Sequence, residues 1–118
     1  MTMEIETHLS DQIARYLDLA AAEAKLTAAN MANVDTPGYR TVGMDFEAER
    51  REAMDEAERG RPSRKVHVTE ADGLVARPDG NNVSIDRESL HLAEAQLKFK
   101  TGMALLRQEY KRVMGMQF

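Results

Sequence analysis

The sequence predicts a mainly α-helical fold, with two long helices near the ends of the chain and a short irregular segment with a candidate β-hairpin between them. Apolar residues recur every three or four positions over residues 4–33 and again from about residue 86 to 114. Sixteen alanines and eight methionines supply much of the apolar content, whereas tryptophan is absent and there are only three Phe and three Tyr. This composition suits long helices in close contact better than a broad globular core.

Length, charge and cysteine content limit the classes of protein that the chain can belong to. With 118 residues we expect one small domain, made of segments 1–40, 41–83 and 84–118. The net charge of −4 argues against a nucleic-acid-binding protein, which usually carries a basic stripe. The absence of cysteine excludes disulfides and thiolate metal sites. Residues 1–6 lack the features of a cleavable secretory signal, and no window is apolar enough to span a membrane, which by itself predicts a soluble cytoplasmic protein.

Residues 4–33 are predicted to form one amphipathic helix roughly 45 Å long. Its apolar stripe has steps of three or four residues. The stripe consists of Ile5, Leu9, Ile13, Tyr16, Ala20, Ala24, Thr27 and Met31. The surrounding alanines are strong helix formers with little bulk, so a neighbouring helix can approach closely.

The helix is predicted to stop in the run from Ala29 to Arg40. Pro37 lacks a backbone N–H and disfavours helical φ/ψ at Thr36. Pro37 and Gly38 suit the two central positions of a type II turn. Asn33 is expected to cap the helix in the left-handed conformation, which Asn tolerates better than most residues.

The middle segment, residues 41–83, is predicted to be a charged loop. Gly60 and Pro62 interrupt any helix that residues 46–58 would form. Residues 65–69 alternate polar and apolar side chains, which is typical of a short strand. We expect this strand to pair with residues 74–77 across a turn at residues 70–73, although two short strands are marginal without a surface to pack on.

The last helix is predicted to begin near Asp86 as the N-cap and to end near Met114. Its apolar residues fall on two opposite faces. The first stripe is Leu90, Ala93, Leu97, Ala104 and Leu105, and the second is Leu92, Phe99, Met103, Leu106, Tyr110 and Val113. One partner helix within the chain can bury only one stripe, so the other implies neighbouring subunits; the alternative is a buried central helix of a globular domain.

The residue types of a catalytic or metal site are present but are not grouped. His8, His67 and His91 lie in different segments without a second ligand at zinc-type spacing. The run from Asp79 to Asn82 opens like a calcium loop, but the next two positions lack the required oxygen donor and Gly. The basic residues between 59 and 65 have no aromatic neighbours for base stacking. We therefore predict no catalytic residue, metal, cofactor, small-molecule substrate or nucleic-acid partner.

Two motifs resemble those of a known family. The run Ala29-Asn30-Met31-Ala32-Asn33-Val34-Asp35-Thr36-Pro37-Gly38-Tyr39 resembles the N-terminal motif of the bacterial flagellar axial proteins, the rod and hook family. The run from Asp79 to Glu88 is similar to the Gly-Asn-Asn-Val-x-x-Asp-x-Glu stretch that opens the C-terminal helix of proximal-rod members. Phe99 stands where the family usually has Tyr, and Met31 replaces a commoner aliphatic residue. The resemblance covers residues 5–46 and 79–114 and leaves the charged middle unmatched.

The resemblance implies a structural subunit of the proximal rod, in which the terminal helices pair as an antiparallel coiled coil and their outer stripes contact neighbouring subunits. The implied partners are its own copies, other rod proteins, the adaptor that joins the rod to the membrane ring, and the flagellar export apparatus. Export without a cleaved signal to a rod that spans the periplasm replaces the cytoplasmic expectation. The resemblance implies roles in the helix-end turn for Asn30, Asn33, Thr36, Pro37, Gly38 and Tyr39, in the second helix start for Asn81, Asn82 and Asp86, and in packing or interfaces for Leu90, Leu97, Phe99, Leu106 and Tyr110.

Two other classes of function remain open from the residues alone. The first is a cytoplasmic helical-hairpin module that binds a partner protein and has no place in an exported filament. The second is an enzyme with a site in the charged middle, for which the sequence offers no means of building a pocket. A stable module is expected to fold cooperatively as a monomer or dimer, whereas a rod subunit is expected to be poorly helical at its ends or to aggregate when isolated.

Overall fold

The computed structural model describes residues 2–115, with the side chains of residues 8–115. The chain forms three helices and two short strands. In chain order these are α1 (Thr2–Ala32), β1 (Val42–Gly43), α2 (Phe46–Glu58), β2 (Thr69–Glu70) and α3 (Ile85–Val113). The molecule is elongated, with extents of 60 × 32 × 18 Å.

The two long helices pack against each other in antiparallel orientation, which confirms the predicted fold class. Asn30, near the end of α1, contacts Glu88 at the start of α3, and the Glu23 carboxylate accepts a 2.9 Å hydrogen bond from Lys98 further along. The buried residues of α3 recur every seven positions. They are Glu88, Ala95, Gly102 and Glu109.

The stripe predicted on α1 faces this contact. Ile13, Ala20 and Thr27 are buried. Leu9, near the beginning of the described side chains, is 38% exposed. The side chain of Ile5, which belongs to the same predicted stripe, lies outside the described residues. Small residues bring the helices close together, because a Cβ at Gly102 would lie 2.5 Å from Cδ2 of Leu17.

Residues 46–58 form α2, so the prediction of a charged loop was wrong for this stretch. Asp45 is its N-cap, with Oδ1 accepting a 3.1 Å hydrogen bond from the Ala48 N–H. Phe46 meets the ring of Tyr16 edge to face at 5.8 Å, and Ala57 is buried. α2 therefore packs on α1 through few apolar residues, and it ends before Gly60, whose φ is +67°.

The predicted hairpin between residues 65–69 and 74–77 was also wrong. β2 pairs with β1, and Val42 lies opposite Glu70 in an antiparallel register. The Ala71 N–H continues the ladder with a 2.9 Å hydrogen bond to the Thr41 carbonyl. The backbone at Val42 is held against Asn30, and this anchored strand supplies the packing surface that an isolated two-stranded hairpin lacks.

The start of α3 and the end of α1 differ in detail from the predictions. Ser84, rather than Asp86, is the N-cap of α3, and its Oγ accepts a 3.3 Å hydrogen bond from the Arg87 N–H. Asp86 lies in the first turn, where its charge is favourable to the helix dipole. Asn33 does not adopt the left-handed conformation, since no non-glycine residue within residues 2–115 has a positive φ. No described helix contains a stretch long and apolar enough to cross a membrane.

Candidate functional site

Asn30 connects the end of α1 to both β1 and α3. The residue is only 1% exposed, and the NH2 group and the oxygen of its side-chain amide each make two hydrogen bonds. Nδ2 donates 2.7 Å hydrogen bonds to the Val42 carbonyl and to Oε1 of Glu88. Oδ1 accepts from the Tyr39 hydroxyl at 3.1 Å and from the Val42 N–H at 3.0 Å. An amide has two donors and one acceptor oxygen, so no other uncharged side chain of this size replaces these four contacts.

The turn after α1 is held by the next residues of the first motif. The Asn33 amide donates a 2.8 Å hydrogen bond to the Ala29 carbonyl and its Oδ1 accepts from the Thr36 hydroxyl at 3.0 Å. The Tyr39 N–H donates to the Thr36 carbonyl at 3.2 Å, and Gly38 has a φ of +75°. A type II turn requires a positive φ at its second central residue and is often closed by this bond, which explains the Pro-Gly pair.

Asn81 joins the second motif to this turn. The residue has no exposed surface, and its Nδ2 donates 2.8 Å hydrogen bonds to the carbonyls of both Asn33 and Thr36. Its Oδ1 accepts from the Val83 N–H at 2.8 Å. The amide thus adds a second hydrogen bond to two carbonyls that also accept from backbone N–H groups of the turn.

Asn82 makes the corresponding connection to the strand that follows the first motif. Its Oδ1 accepts a 2.6 Å hydrogen bond from the Thr41 N–H, and the Thr41 hydroxyl donates to its carbonyl at 3.2 Å. Thr41 has no exposed surface and Asn82 is 4% exposed. These contacts bring the backbone at residues 39–42 beside the approach to α3.

Two glycines allow the motifs to touch at the backbone. The Gly38 N–H donates a 2.9 Å hydrogen bond to the Asp79 carbonyl. Gly80 has a φ of +88°, and a Cβ added there would lie 3.3 Å from Cα of Gly38. The glycine in the Asp-Gly-Asn-Asn run is therefore required both for its backbone conformation and for this close approach.

The two sequence motifs form one structure, which we name the junction and define as residues 29–42 and 79–88. Asp86 is exposed at the edge of the junction, and within the described residues it makes no hydrogen bond to the first motif. Sequence reasoning did not find Thr41, Glu88 or Arg77, whose guanidinium donates to the carbonyls of Val34 and Val83. Glu88 lies seven residues before Ala95 on the face of α3 that meets α1. A carboxylate in the first turn of a helix is usually exposed, so the sequence does not indicate that Glu88 is buried.

The buried carboxylate of Glu88 is neutralised locally. The side chain is 1% exposed, and Oε2 pairs with the Arg87 guanidinium at 2.6 Å. Its other oxygen accepts from Asn30. A buried charge needs both a counter-charge and hydrogen bonds, and Glu88 has them only when both motifs are in place.

The five residues proposed for packing or interfaces fall into two groups in the structure. Leu106 lies partly buried on the side of α3 that meets α1, and Phe99 on the same side is 41% exposed. Leu90 and Leu97 of the first stripe are 61% and 66% exposed, and Tyr110 of the second stripe is 58% exposed. These three side chains are mostly uncovered within the described residues, and their role at an interface stays a prediction.

The charged middle is tied to α2 by ion pairs. His67 hydrogen bonds through Nδ1 to Oε2 of Glu49 at 2.9 Å, and this contact raises the pKa of His67 above its usual 6.5. Arg64 pairs with Glu52 at 3.5 Å and with Glu56 at 2.8 Å. Atoms of Glu49, Glu52 and His67 able to bind a metal lie within 4.8 Å of one another, but the Arg64 guanidinium beside them repels a cation. We therefore assign this cluster a structural role.

Comparison with known proteins identifies relatives along most of the chain. The chain is 32% identical over 120 residues to the flagellar basal body rod protein FlgB of Salmonella typhimurium, a match that covers 84% of this chain and 85% of that protein. It is 29% identical over 120 residues to FlgB of Escherichia coli and 29% identical over 117 residues to FlgB of Yersinia ruckeri, with the same coverage. No model of a protein family matches the chain.

Proposed function

The chain belongs to the family of flagellar basal body rod proteins called FlgB, and from this premise we propose that it is a structural subunit of the proximal rod. In this role it assembles with other axial proteins into the drive shaft that transmits rotation for flagellum-dependent motility. The proposal gives the chain no catalytic role and no cofactor.

The observation that carries the proposal is a pair of packed helices with an apolar outer face. The junction holds α1 to α3 through the hydrogen bond that Asn30 donates to Glu88, and it holds the adjoining segments together because Asn81 donates to the Asn33 carbonyl and Asn82 accepts from the Thr41 N–H. On the opposite side of α3, Leu90 and Leu97 are more than half exposed. A helix that is apolar on both sides is stable in water only when both sides are covered, and a rod of neighbouring subunits supplies the second cover.

The proposed partners are further copies of this chain, the other rod proteins, the adaptor that joins the rod to the membrane ring, and the flagellar export apparatus. The proposed location is the basal body, in the rod that crosses the periplasm. The similarity to FlgB proteins over 84% of the chain supports assembly with rod components. Heterologous contacts that do not close, repeated from one subunit to the next, are the kind that produce such a tube.

Electron microscopy of basal bodies from a strain that lacks this gene tests the proposed function. We expect membrane rings without a rod and a loss of swimming, both restored by the wild-type gene. Complete rods in the deletion strain would contradict the proposal and favour a partner-binding module.

Point variants test whether the helix surface is needed for assembly. Leu106→Asp and Tyr110→Asp are each expected to abolish rod assembly and swimming, because both place a charge on an apolar helix side. Tyr110→Asp is the sharper variant, since Tyr110 is 58% exposed and its loss leaves the interior of the chain intact. Val75→Asp, at a residue that is 90% exposed in the middle segment, is the matched control and is expected to swim normally. Normal swimming of both helix variants would refute the packing role.

A further inference from the structure

The exposed stripe of α3 forms a ridge of large and small apolar residues. The ridge consists of Leu90, Ala93, Leu97, Ala104 and Leu105. All five are exposed, and Leu90 and Leu97 protrude most, at 61% and 66%. They are seven residues apart, which is about 10.5 Å along a helix.

A separate apolar groove of about 730 Å³ runs between α1 and α3. Its lining includes Ala21, Ala24 and Ala28 from α1 and Leu92 and Phe99 from α3. Small side chains on one wall and larger ones on the other leave a channel into which side chains of another helix can insert. Volume and lining thus match a helix more closely than a polar ligand.

The groove lies on a different flank of the molecule from α2. Leu19 and Ala22 of α1 line the cleft beside α2, whereas Ala21 and Ala28 line the groove. At 100° per residue these pairs point to opposite flanks of α1. On α3, the groove residues Leu92, Gln96 and Phe99 are about a quarter turn or more from Leu90 and Leu97, and Lys100 lies at the border between the groove and the ridge. Ridge and groove are therefore two distinct surfaces of one chain.

Spacing and charge make the two surfaces complementary. Ala21 and Ala28 are seven residues apart, as Leu90 and Leu97 are, so two leucines match two alanine positions. Glu94 lies four residues after Leu90 on the ridge, and Lys25 lies four residues after Ala21 on the groove. Both charged side chains are exposed, and within residues 8–115 neither takes part in an ion pair.

We infer that the ridge of one copy of this chain inserts into the α1–α3 groove of a second copy, with Glu94 of the ridge facing Lys25 of the groove. Lys100, which also lines the groove, adds a second positive charge. Because ridge and groove are different surfaces, the contact is heterologous, and each copy binds two neighbours so that the contact repeats from copy to copy. The inference rests on the proposed rod function and names the surfaces by which copies meet.

Disulfide trapping tests this contact, since the chain has no cysteine of its own. A Leu97→Cys/Ala28→Cys double variant, expressed in place of the wild-type gene, is expected to give a ladder of disulfide-linked multimers in isolated basal bodies on a non-reducing gel. Each single variant is expected to remain monomeric, because its thiol faces a native residue. Far-ultraviolet circular dichroism of the purified variants checks that the exposed substitutions leave the fold intact.

The outcomes separate this inference from the proposed function. Three results in assembled rods would overturn the ridge-and-groove contact and leave the rod function standing. The double variant could stay monomeric, it could be linked to a different rod protein, or Leu97→Cys alone could form dimers. Basal bodies that never contain this chain would overturn the rod function itself.

A charge exchange provides a second test that needs no cysteine. Glu94→Lys and Lys25→Glu are each expected to reduce the number of rods per cell, and the double variant is expected to restore at least half of the loss. No recovery in the double variant would contradict the pairing of these two surfaces. Asp72→Lys, at an exposed residue of the middle segment, is the matched control and is expected to leave the number of rods unchanged.

Discussion

Asn30→Asp changes one atom of the junction and removes both donors through which α1 holds β1 and α3. In the native chain Nδ2 donates to the Val42 carbonyl and to Oε1 of Glu88, at 2.7 Å in each case. A carboxylate has no proton to donate at neutral pH, so both acceptors lose their partner. The new charge also lies beside the carboxylate of Glu88, whose side chain is only 1% exposed.

The magnitude follows from these contacts. A buried acceptor left without a donor costs about 1–3 kcal/mol, and two buried carboxylates in contact add repulsion, so we expect a loss of about 3–5 kcal/mol in the free energy of unfolding. Natural domains of this size have about 5–15 kcal/mol in total. The variant is therefore expected to be largely unfolded at moderate temperature or to lose most of its resistance to urea.

Urea unfolding of the purified chain, followed by circular dichroism, measures this loss. Asn33→Asp is the matched control, because it is the same chemical change in the same motif. It removes one exposed 2.8 Å hydrogen bond to the Ala29 carbonyl and is expected to cost about 1 kcal/mol or less.

A second substitution tests whether the loss arises at Glu88. Glu88→Gln supplies an amide N–H that can donate to the new carboxylate, so the Asn30→Asp/Glu88→Gln double variant is expected to recover more than about 1 kcal/mol relative to additivity. The reasoning would be refuted if Asn30→Asp cost no more than Asn33→Asp, or if the double variant showed no coupling.

Three further predictions concern other contacts of the fold. Gly102→Val is expected to lower the free energy of unfolding by about 1–3 kcal/mol, because even a Cβ would lie 2.5 Å from Cδ2 of Leu17. Ala104→Val, on the exposed side of α3, is expected to cost about 0.5 kcal/mol. Equal urea midpoints for the two variants would contradict this packing. Gly80→Ala is expected to destabilise more than Gly73→Ala, since both have positive φ but only Gly80 would bring its Cβ to 3.3 Å from the Gly38 backbone, and the same midpoint for both would show that the motifs do not touch there. An NMR titration is expected to place the pKa of His67 above 6.5 and to move it back toward 6.5 in Glu49→Gln. The stability from this pair is present below pH 6.5 and is lost as the pH rises through the raised pKa of His67. A pKa of His67 that does not change in Glu49→Gln would contradict the contact.

The long helices and the turn after α1 were accessible from sequence because their signals are local. Helical periodicity over residues 4–33 and 86–114 is decided by neighbours three and four positions away, and it gave both helices with ends shifted by only a few residues. Pro37 and Gly38 restrict their own backbone dihedrals, so the chain reverses there whatever surrounds it. The alternation of apolar residues around α3 also showed two faces before any contact was known.

The two short elements differ in how local their signals are. α2 has a local signal, since Asp45 caps it and residues 46–58 consist mostly of the helix formers Glu, Ala and Arg, and its distant contact of Phe46 with Tyr16 places it on α1. β2 pairs with β1 instead of the nearer residues 74–77, because Asn30 holds the backbone at Val42 in place. No local propensity contains such a preference.

The sequence by itself determined that this chain consists of two amphipathic helices with a tight turn and that it carries the two motifs of flagellar axial proteins. Only the tertiary structure decided that these motifs form a single junction, in which Asn81 bonds to carbonyls 45 and 48 residues away. It also decided that α1 covers Glu88, Ala95, Gly102 and Glu109 of α3, which belong to neither predicted stripe, and that Leu90 and Leu97 of the first stripe remain exposed. The physical reason is that side-chain amides and small residues act through contacts with distant backbone, which are created when the helices pack and have no signature in the neighbouring residues.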